Sequence, residues 1–257
     1  MLLWDDHHWL FWTNHLGQRQ AQARLPSPIA TACISEEGSV FAAAETAGRV
    51  CWLATDLHPR WERQLKSKPT AIALDPLGVL LAVAEEQGRL SILDREGQLV
   101  REITCPRPAH HLAFVPGTAR LVAAADFGWV AAYDLEKGDW LWRESPVANI
   151  GGMAVAGVGE PILLACFSEG IRGYQKDGQP WKFTSPIPTC QAVTVSYDGS
   201  LIITLEMDGT LRGTTAQGTP RFSHRLQTAP VALALNPWGD TLYVATTGRE
   251  VVALEIK

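Results

Sequence analysis

Glycine recurs along this chain with a period of about 40 residues, and this period constrains the fold more than any other feature of the sequence. Glycine adopts the positive φ of a tight turn without a steric penalty, so a regular series of glycines predicts a regular series of turns. Two further series, one before and one after the main series in each repeat, keep the same period. Three turns per period predict four short strands per repeat. The main series consists of Gly48, Gly88, Gly128, Gly170, Gly209 and Gly248.

The segments between these turns have the composition of strands. Residues 79–84, 201–205 and 241–245 are short, apolar and rich in β-branched side chains, and all three lie between the first and second turn of a repeat. A repeat of this length with four strands is typical of a β-propeller blade, whereas helical repeats need longer windows of apolar residues spaced three and four apart. The period therefore predicts an all-β fold, a β-propeller of four-stranded antiparallel blades.

Two resemblances support this fold. The segments Asp-Pro-Leu-Gly at 75–78, Ser-Tyr-Asp-Gly at 196–199 and Asn-Pro-Trp-Gly at 236–239 resemble the Ser-Pro-Asp-Gly hairpin of WD-repeat propellers, although Leu-Asp and Tyr-Asp replace the Trp-Asp dipeptide. Residues 132–142 are similar to the tryptophan-docking repeat of quinoprotein (PQQ-type) propellers, and 178–181 repeat that pattern more weakly. Together the two resemblances cover nearly the whole chain. They imply a fold and no particular activity, because propellers host unrelated functions.

The number of blades depends on how residues 1–25 are interpreted. By phase they are the second, third and fourth strands of a repeat, and the last repeat, which begins at Pro230, has three strands. Seven blades, of which two are incomplete, are favoured, because residues 9–12 match 50–53 in phase and such an apolar strand is stabilised by burial between blades. In the alternative, six blades form and the strand near Gln20 completes the last one.

Composition and charge restrict the classes of partner. The 257 residues are 46% hydrophobic and 19% charged, as in an ordinary soluble protein, and we expect one domain over 1–257. A net charge of -5 provides no basic surface for a polyanion, so no nucleic-acid partner is expected. The chain has no signal-peptide pattern and no apolar stretch long enough to cross a bilayer, so we expect no membrane insertion and a cytoplasmic location.

No pattern in the sequence predicts a catalytic or cofactor site. The chain has five cysteines, an odd number, and no two of them form a Cys-x-x-Cys pair. This pattern indicates free buried thiols in a reducing compartment. The sequence has two pairs of adjacent histidines, and the two side chains of each pair point to opposite faces of a strand, so neither pair can bind one metal by itself. The sequence contains neither a nucleophile elbow nor a phosphate-binding loop. We therefore expect no catalytic residue, metal, cofactor or small-molecule ligand. The quinoprotein resemblance would imply PQQ, but the vicinal cysteines of that family are absent.

The function that remains is a non-catalytic protein-binding scaffold or adaptor, as a subunit of a larger protein assembly. The alternative is a propeller enzyme of the metal-dependent lactonase or hydrolase type, which would need several carboxylates converging on one cation. Candidate partner-binding residues come from the aromatic N-terminal half-repeat and from the turns between second and third strands, since aromatic and arginine side chains are enriched at interfaces. These candidates are Trp4, Trp9, Phe11, Trp12, Arg49, Arg89, Phe127 and Trp129.

Overall fold

The chain folds into short antiparallel strands. The computed structural model describes residues 1–183 and 189–256, and in those ranges it contains 25 strands and no helix. The strands form seven consecutive sheets, and within each sheet strands that follow each other in the chain are neighbours. Each sheet is one blade. The prediction of an all-β, seven-bladed β-propeller is confirmed.

The first compact unit, Met1–Phe114, contains the first three sheets. The first sheet has three strands, β1 (Leu2–Trp4), β2 (Trp9–Thr13) and β3 (Arg19–Arg24). The second has four, β4 (Ile29–Ile34), β5 (Phe41–Glu45), β6 (Arg49–Leu53) and β7 (Pro59–Gln64). The third has four, β8 (Pro69–Leu74), β9 (Leu80–Glu85), β10 (Arg89–Asp94) and β11 (Leu99–Thr104).

The second compact unit, Val115–Lys257, begins inside the fourth sheet, so the single domain over 1–257 stays a prediction. The fourth sheet has strands β12 (His111–Val115), β13 (Arg120–Ala124), β14 (Val130–Asp134) and β15 (Asp139–Glu144). The fifth has β16 (Ile150–Val155), β17 (Ile162–Cys166) and β18 (Gly170–Tyr174). The sixth has β19 (Ala192–Val195), β20 (Leu201–Leu205), β21 (Thr210–Thr215) and β22 (Pro220–Arg225), and the seventh has β23 (Pro230–Leu235), β24 (Thr241–Thr246) and β25 (Val251–Glu255).

The three-stranded sheets show to which blade the N-terminal residues belong. The first and seventh sheets have three strands each, as predicted for the two incomplete blades. β3 pairs with β2 along its length, with Trp9 opposite Arg24 and Phe11 opposite Gln22. The six-bladed alternative, in which the strand near Gln20 completes the last blade, is therefore wrong.

Within the described residues the fifth sheet also has three strands, whereas the sequence predicts four. Its fourth strand begins as in the other sheets, with an isolated bridge between Tyr174 and Pro180 and a hydrogen bond of 2.8 Å from the Trp181 N–H to the Gly173 carbonyl. A regular ladder does not continue through residues 182–183.

Irregularities in the pairing repeat with the same period as the glycines. The register between third and fourth strands shifts after Trp12, Trp52, Ile92 and Ala132, which occupy equivalent positions in successive repeats, and again after Gly213. One extra residue on the fourth strand increases the local twist at the outer edge of each blade. The shift at Trp12 confirms that β2 is the third strand of its repeat.

The predicted turn glycines adopt positive φ with one exception. Gly48, Gly88, Gly128, Gly170 and Gly209 have φ between 68° and 86°. In the last repeat Arg249, and not Gly248, takes this conformation, with φ of 61°. The Arg249 N–H closes the turn on the Thr246 carbonyl at 3.1 Å. The assignment of Gly248 as the turn-closing residue is wrong by one position, because a non-glycine residue accepts the left-handed conformation here.

Apolar side chains between consecutive sheets form the core of each unit. Trp52, Leu74 and Leu81 belong to the cluster between the second and third sheets. Ile203 and Val244 belong to the cluster between the sixth and seventh. Because central strands are covered on both sides, β5, β14, β17 and β20 are buried at every position. This explains why their sequences are largely apolar and do not alternate between apolar and polar residues.

Tryptophans on fourth strands attach the second sheet to the third and the fourth sheet to the fifth. The Trp61 indole N–H donates to the Arg95 carbonyl at 2.8 Å, and the Trp142 N–H donates to the Lys176 carbonyl at 3.3 Å. Each ring lies against a turn glycine of the following sheet. A Cβ on Gly178 would stand 2.5 Å from the Trp142 ring, so only glycine permits this approach. Trp142 also stacks on Tyr174, with ring centroids 5.3 Å apart.

Replacing Trp142 by alanine should lower the free energy of unfolding by about 2–3 kcal/mol, because a half-buried indole loses its packing and leaves a cavity. Urea denaturation followed by circular dichroism measures this difference. The matched control is Trp238→Ala, whose side chain is exposed and whose loss should change the free energy of unfolding by less than about 0.5 kcal/mol. Equal effects at the two positions would contradict the docking role of Trp142.

Candidate functional site

The strand β2 divides the predicted N-terminal aromatic residues between two faces. Successive side chains of a strand point to opposite sides. Leu10 and Trp12 face the second sheet, where Leu10 is buried and the Trp12 ring meets Phe41 edge-on at 5.3 Å. Trp4 pairs with Leu10 and so shares this face, but it lies at the strand end and is exposed. Trp12 is therefore partly buried and packs against the core of the first unit.

Trp9 and Phe11 lie on the opposite face of the first sheet. Their rings stack with centroids 6.2 Å apart, and the Arg19 guanidinium lies 4.9 Å above the Phe11 ring. Leu3 pairs with Phe11 and extends this face onto β1. All three apolar side chains are only partly buried. We call Leu3, Trp9 and Phe11 the N-terminal aromatic surface. The structure thus brings two of the predicted residues together and separates them from Trp4 and Trp12.

Arg89 is held by a buried carboxylate in the third sheet. Its Nε donates to Glu85 Oε1 at 2.7 Å, and Glu85 is only 1% exposed. The Ser67 N–H donates to the other carboxylate oxygen at 2.7 Å. On the outer side, Arg89 Nη1 lies 3.5 Å from Glu102. The guanidinium therefore stabilises the turn between the second and third strands.

Arg49 is held in the same way one repeat earlier. Its Nε donates to Glu45 Oε1 at 2.7 Å and its Nη1 donates to Glu62 at 2.8 Å. The Ser27 N–H and hydroxyl donate to Glu45 at 2.8 and 2.6 Å. Arg49 and Arg89 keep about a fifth of their side-chain surface accessible. Their role as partner-binding residues stays a prediction.

The charge of Glu85 is stabilised by its neighbours. Burial raises the pKa of the Glu85 carboxyl, but hydrogen bonds from Arg89 and from the Ser67 N–H outweigh burial, and the net pKa lies below the ordinary value. A carboxyl whose pKa is lower in the folded state adds stability above its unfolded pKa. This contribution is lost as the pH falls through the lower, folded pKa.

Glu85→Gln should lower the free energy of unfolding at neutral pH by about 2 kcal/mol, because a charge-assisted network is broken inside the sheet. The difference from the unaltered protein should begin to shrink as the pH falls below the ordinary glutamate pKa of about 4.3, and it should vanish once the pH has passed through the lower folded pKa. Urea titrations at several pH values measure both effects. Glu86→Gln is the matched control, because that neighbouring side chain is exposed and pairs loosely with Lys68, at 3.7 Å. A pH-independent difference would contradict the assigned ion pair.

In the fourth sheet an alanine and a tryptophan replace the glutamate–arginine pair of the two preceding sheets. Ala125 and Trp129 stand one repeat after Glu85 and Arg89. Trp129 is 4% exposed and packs edge-on against Trp140, with centroids 5.5 Å apart. The structure therefore places this predicted residue in the interior of the second unit. Phe127, two positions earlier in the turn, is exposed. Aligning the repeats would have signalled this difference. In the fourth repeat alanine replaces the buried glutamate, and the tryptophan that replaces the arginine can fill the volume that the ion pair occupies in the third repeat.

A cavity of about 270 Å³ adjoins the fifth sheet, and its lining includes Arg172, Tyr174 and Trp181. Arg172 Nε donates to Glu169 at 2.7 Å, so the guanidinium is already paired. Burial raises the pKa of the Tyr174 hydroxyl, which keeps it protonated at neutral pH. These groups can bind a polar molecule, but they include no base positioned against a nucleophile.

Metal ligation and thiolate chemistry depend on how ligand side chains are grouped and on the pKa of each cysteine thiol. Within 1–183 and 189–256 no three side chains of histidine, cysteine, aspartate or glutamate are grouped as metal ligands. Burial raises the pKa of the Cys105 thiol, and that of Cys190, to about 12, so neither is a thiolate at neutral pH. In the same part of the chain there is no helix with the length and hydrophobicity needed to cross a bilayer.

One set of exposed apolar residues was missed by the sequence prediction. Val158, Tyr197 and Trp238 lie at the tips of the first hairpins of the fifth, sixth and seventh sheets, and all three are exposed. We call these three residues the hairpin-tip surface. In the sequence, residues 196–199 and 236–239 are recognised only as turn motifs. The signal was present, because a large apolar residue at the tip of a tight turn has no core to enter.

The sheets and their repeated pairing define this chain as a β-propeller protein. No family model matches it. It is similar to the Meiotic recombination protein rec14 of Schizosaccharomyces pombe, with 28% identity over 139 residues, which are 52% of this chain and 46% of the relative. The similarity thus covers less than half the length of that relative. The particular features of WD-repeat and quinoprotein propellers stay predictions.

Proposed function

We propose that this chain is a non-catalytic protein-binding scaffold, and that it works as a subunit of a larger protein assembly. The observation that carries the proposal is the N-terminal aromatic surface. There an indole and a phenyl ring lie stacked on a sheet face, only partly buried, with an arginine over one of them. Aromatic and arginine side chains are the residues that most often anchor protein interfaces.

The physical argument concerns the free energy of exposed apolar area. Burying an aromatic ring contributes about 25 cal/mol for each Å² removed from water, so a partly exposed pair of rings gains from a further covering surface. Contiguous apolar area on a folded protein marks interaction sites more often than chance. A rigid sheet also holds both rings in place, which reduces the entropy lost on binding.

The partner is proposed to be a protein. The net charge of -5 disfavours binding to nucleic acid or to anionic lipid. The similarity to rec14, a protein named for meiotic recombination, supports a role in a protein assembly. The metal-dependent enzyme remains the alternative, and it requires a stoichiometric divalent cation in the purified protein, which elemental analysis detects.

Phe11→Ser should weaken the native assembly about tenfold or more, since an anchor ring of an interface contributes over about 1.4 kcal/mol. The measurement is site-specific photocrosslinking in the source cells from position 11, followed by sizing of the native complex. Deletion of residues 1–14 is unsuitable, because it removes the buried Leu10 and would unfold the first unit.

Leu16 provides the matched control, since it is an exposed apolar residue in the turn after β2. A crosslinker at position 16 should give few protein adducts, and Leu16→Ser should leave the assembly intact. If position 11 yields no more adducts than position 16, and the protein elutes as a 28.1 kDa monomer, the surface has no partner.

A further inference from the structure

The hairpin-tip surface is built from three equivalent turns. In each turn a glycine N–H donates to the carbonyl three positions earlier: Gly159 to Ala156 at 2.8 Å, Gly199 to Ser196 at 3.0 Å and Gly239 to Asn236 at 3.0 Å. The turns recur once in each repeat, and each glycine has a positive φ. All three tips therefore point the same way from their sheets.

The three tips are joined to each other by main-chain hydrogen bonds. The Val158 N–H donates to the Tyr197 carbonyl at 3.0 Å, and the Tyr197 N–H donates to the Pro237 carbonyl at 3.0 Å. The exposed fraction of each residue along this row is 56% for Val158, 49% for Tyr197 and 82% for Trp238. The fifth, sixth and seventh sheets thus present one continuous apolar strip.

The strip is rigid before any ligand arrives. The Tyr197 ring lies directly on Gly157, where a Cβ would stand 2.0 Å from the ring, so one ring face is fixed and the other faces water. The Asn236 side-chain oxygen accepts hydrogen bonds from the N–H groups of Asp240 and Thr241, which holds the last tip. A preformed surface loses little conformational entropy on binding.

Two carboxylates accompany the aromatic side chains. The Ser196 hydroxyl and the Ser200 N–H donate to Asp198, and these hydrogen bonds lower the pKa of its carboxyl. Hydrogen bonds from Asn236 and Thr241 lower the pKa of Asp240 in the same way. Both groups are anionic at neutral pH. Across residues 1–183 and 189–256 neither carboxylate lies within ion-pair distance of a lysine, arginine or histidine.

We propose that the hairpin-tip surface binds a protein segment in which an arginine stands beside apolar side chains. The guanidinium would meet Asp198 and Asp240 and stack on the Trp238 ring, while an apolar neighbour would cover Tyr197 and Val158. Arginine fits both requirements, because it pairs with carboxylates and lies flat on aromatic faces. Polyanions and anionic lipid headgroups are repelled by the same two carboxylates. This inference rests on the proposed protein-binding function but uses a separate surface.

The test is selection of random dodecapeptides displayed on phage against the full chain, with affinities measured afterwards on synthetic peptides. Recovered sequences should be enriched in arginine next to aromatic or aliphatic residues. Trp238→Ser should weaken their binding about tenfold or more, and Trp238→Phe should restore most of it. The double variant Asp198→Asn with Asp240→Asn keeps both turn caps and should weaken binding and remove most of its dependence on salt.

Leu77→Ser is the matched control, since Leu77 is an exposed apolar residue at the corresponding tip of the third sheet and should not affect binding. Trp238→Ser should leave the thermal midpoint unchanged, so loss of binding will not reflect unfolding. Recovery of acidic peptides, or of peptides that bind Trp238→Ser as well as the unaltered chain, would overturn the inference. If the selected peptides lose affinity only for Phe11→Ser, the proposed function stands and this surface assignment fails.

Discussion

The burial of both faces of the second strand in the second to sixth sheets is the constraint on which the rest of this structure depends. A four-stranded sheet with apolar residues on both sides is not stable in water, so each blade has to be packed between neighbours. Ala42 and Ala44 face one neighbouring sheet while Phe41 and Ala43 face the other, and all are buried. Alanine occupies three of these four positions, and its small side chain permits a close approach of neighbouring sheets.

The same constraint decides what can vary between repeats. Turn position and strand register are fixed by the backbone. The side chains that fill the volume behind the turn between second and third strands differ from one repeat to another. Glu85 and Arg89 fill it with an ion pair, and Ala125 and Trp129 fill it with an indole. An ion pair in this position costs desolvation and needs extra donors, which Ser67 supplies. The repeat therefore keeps its shape while its polarity changes.

The period predicted the number of sheets, the strand order and the phase of β2, because each depends only on distance along the chain. It did not predict which face of a strand is covered, because that depends on neighbouring sheets. Trp4 and Trp9 look alike in the sequence, yet strand pairing puts them on opposite faces. Trp129 and Phe127 likewise differ in burial although both flank one turn glycine. Arg249 shows a further limit, since a side chain can occupy a turn position that the pattern assigns to glycine.

Packing between sheets explains why tryptophans occur on fourth strands, but it does not explain the tryptophan at position 238. Trp61 and Trp142 fill a wedge between two sheets and satisfy their indole N–H groups on the next blade. Trp238 occupies the third position of a tight turn, and at 82% exposure it gains almost no burial free energy. Its neighbours Tyr197 and Val158 are exposed along the same hydrogen-bonded row. Since polar residues would serve the turns equally well, the turns do not account for the apolar side chains, and this motivates the binding surface proposed at these tips.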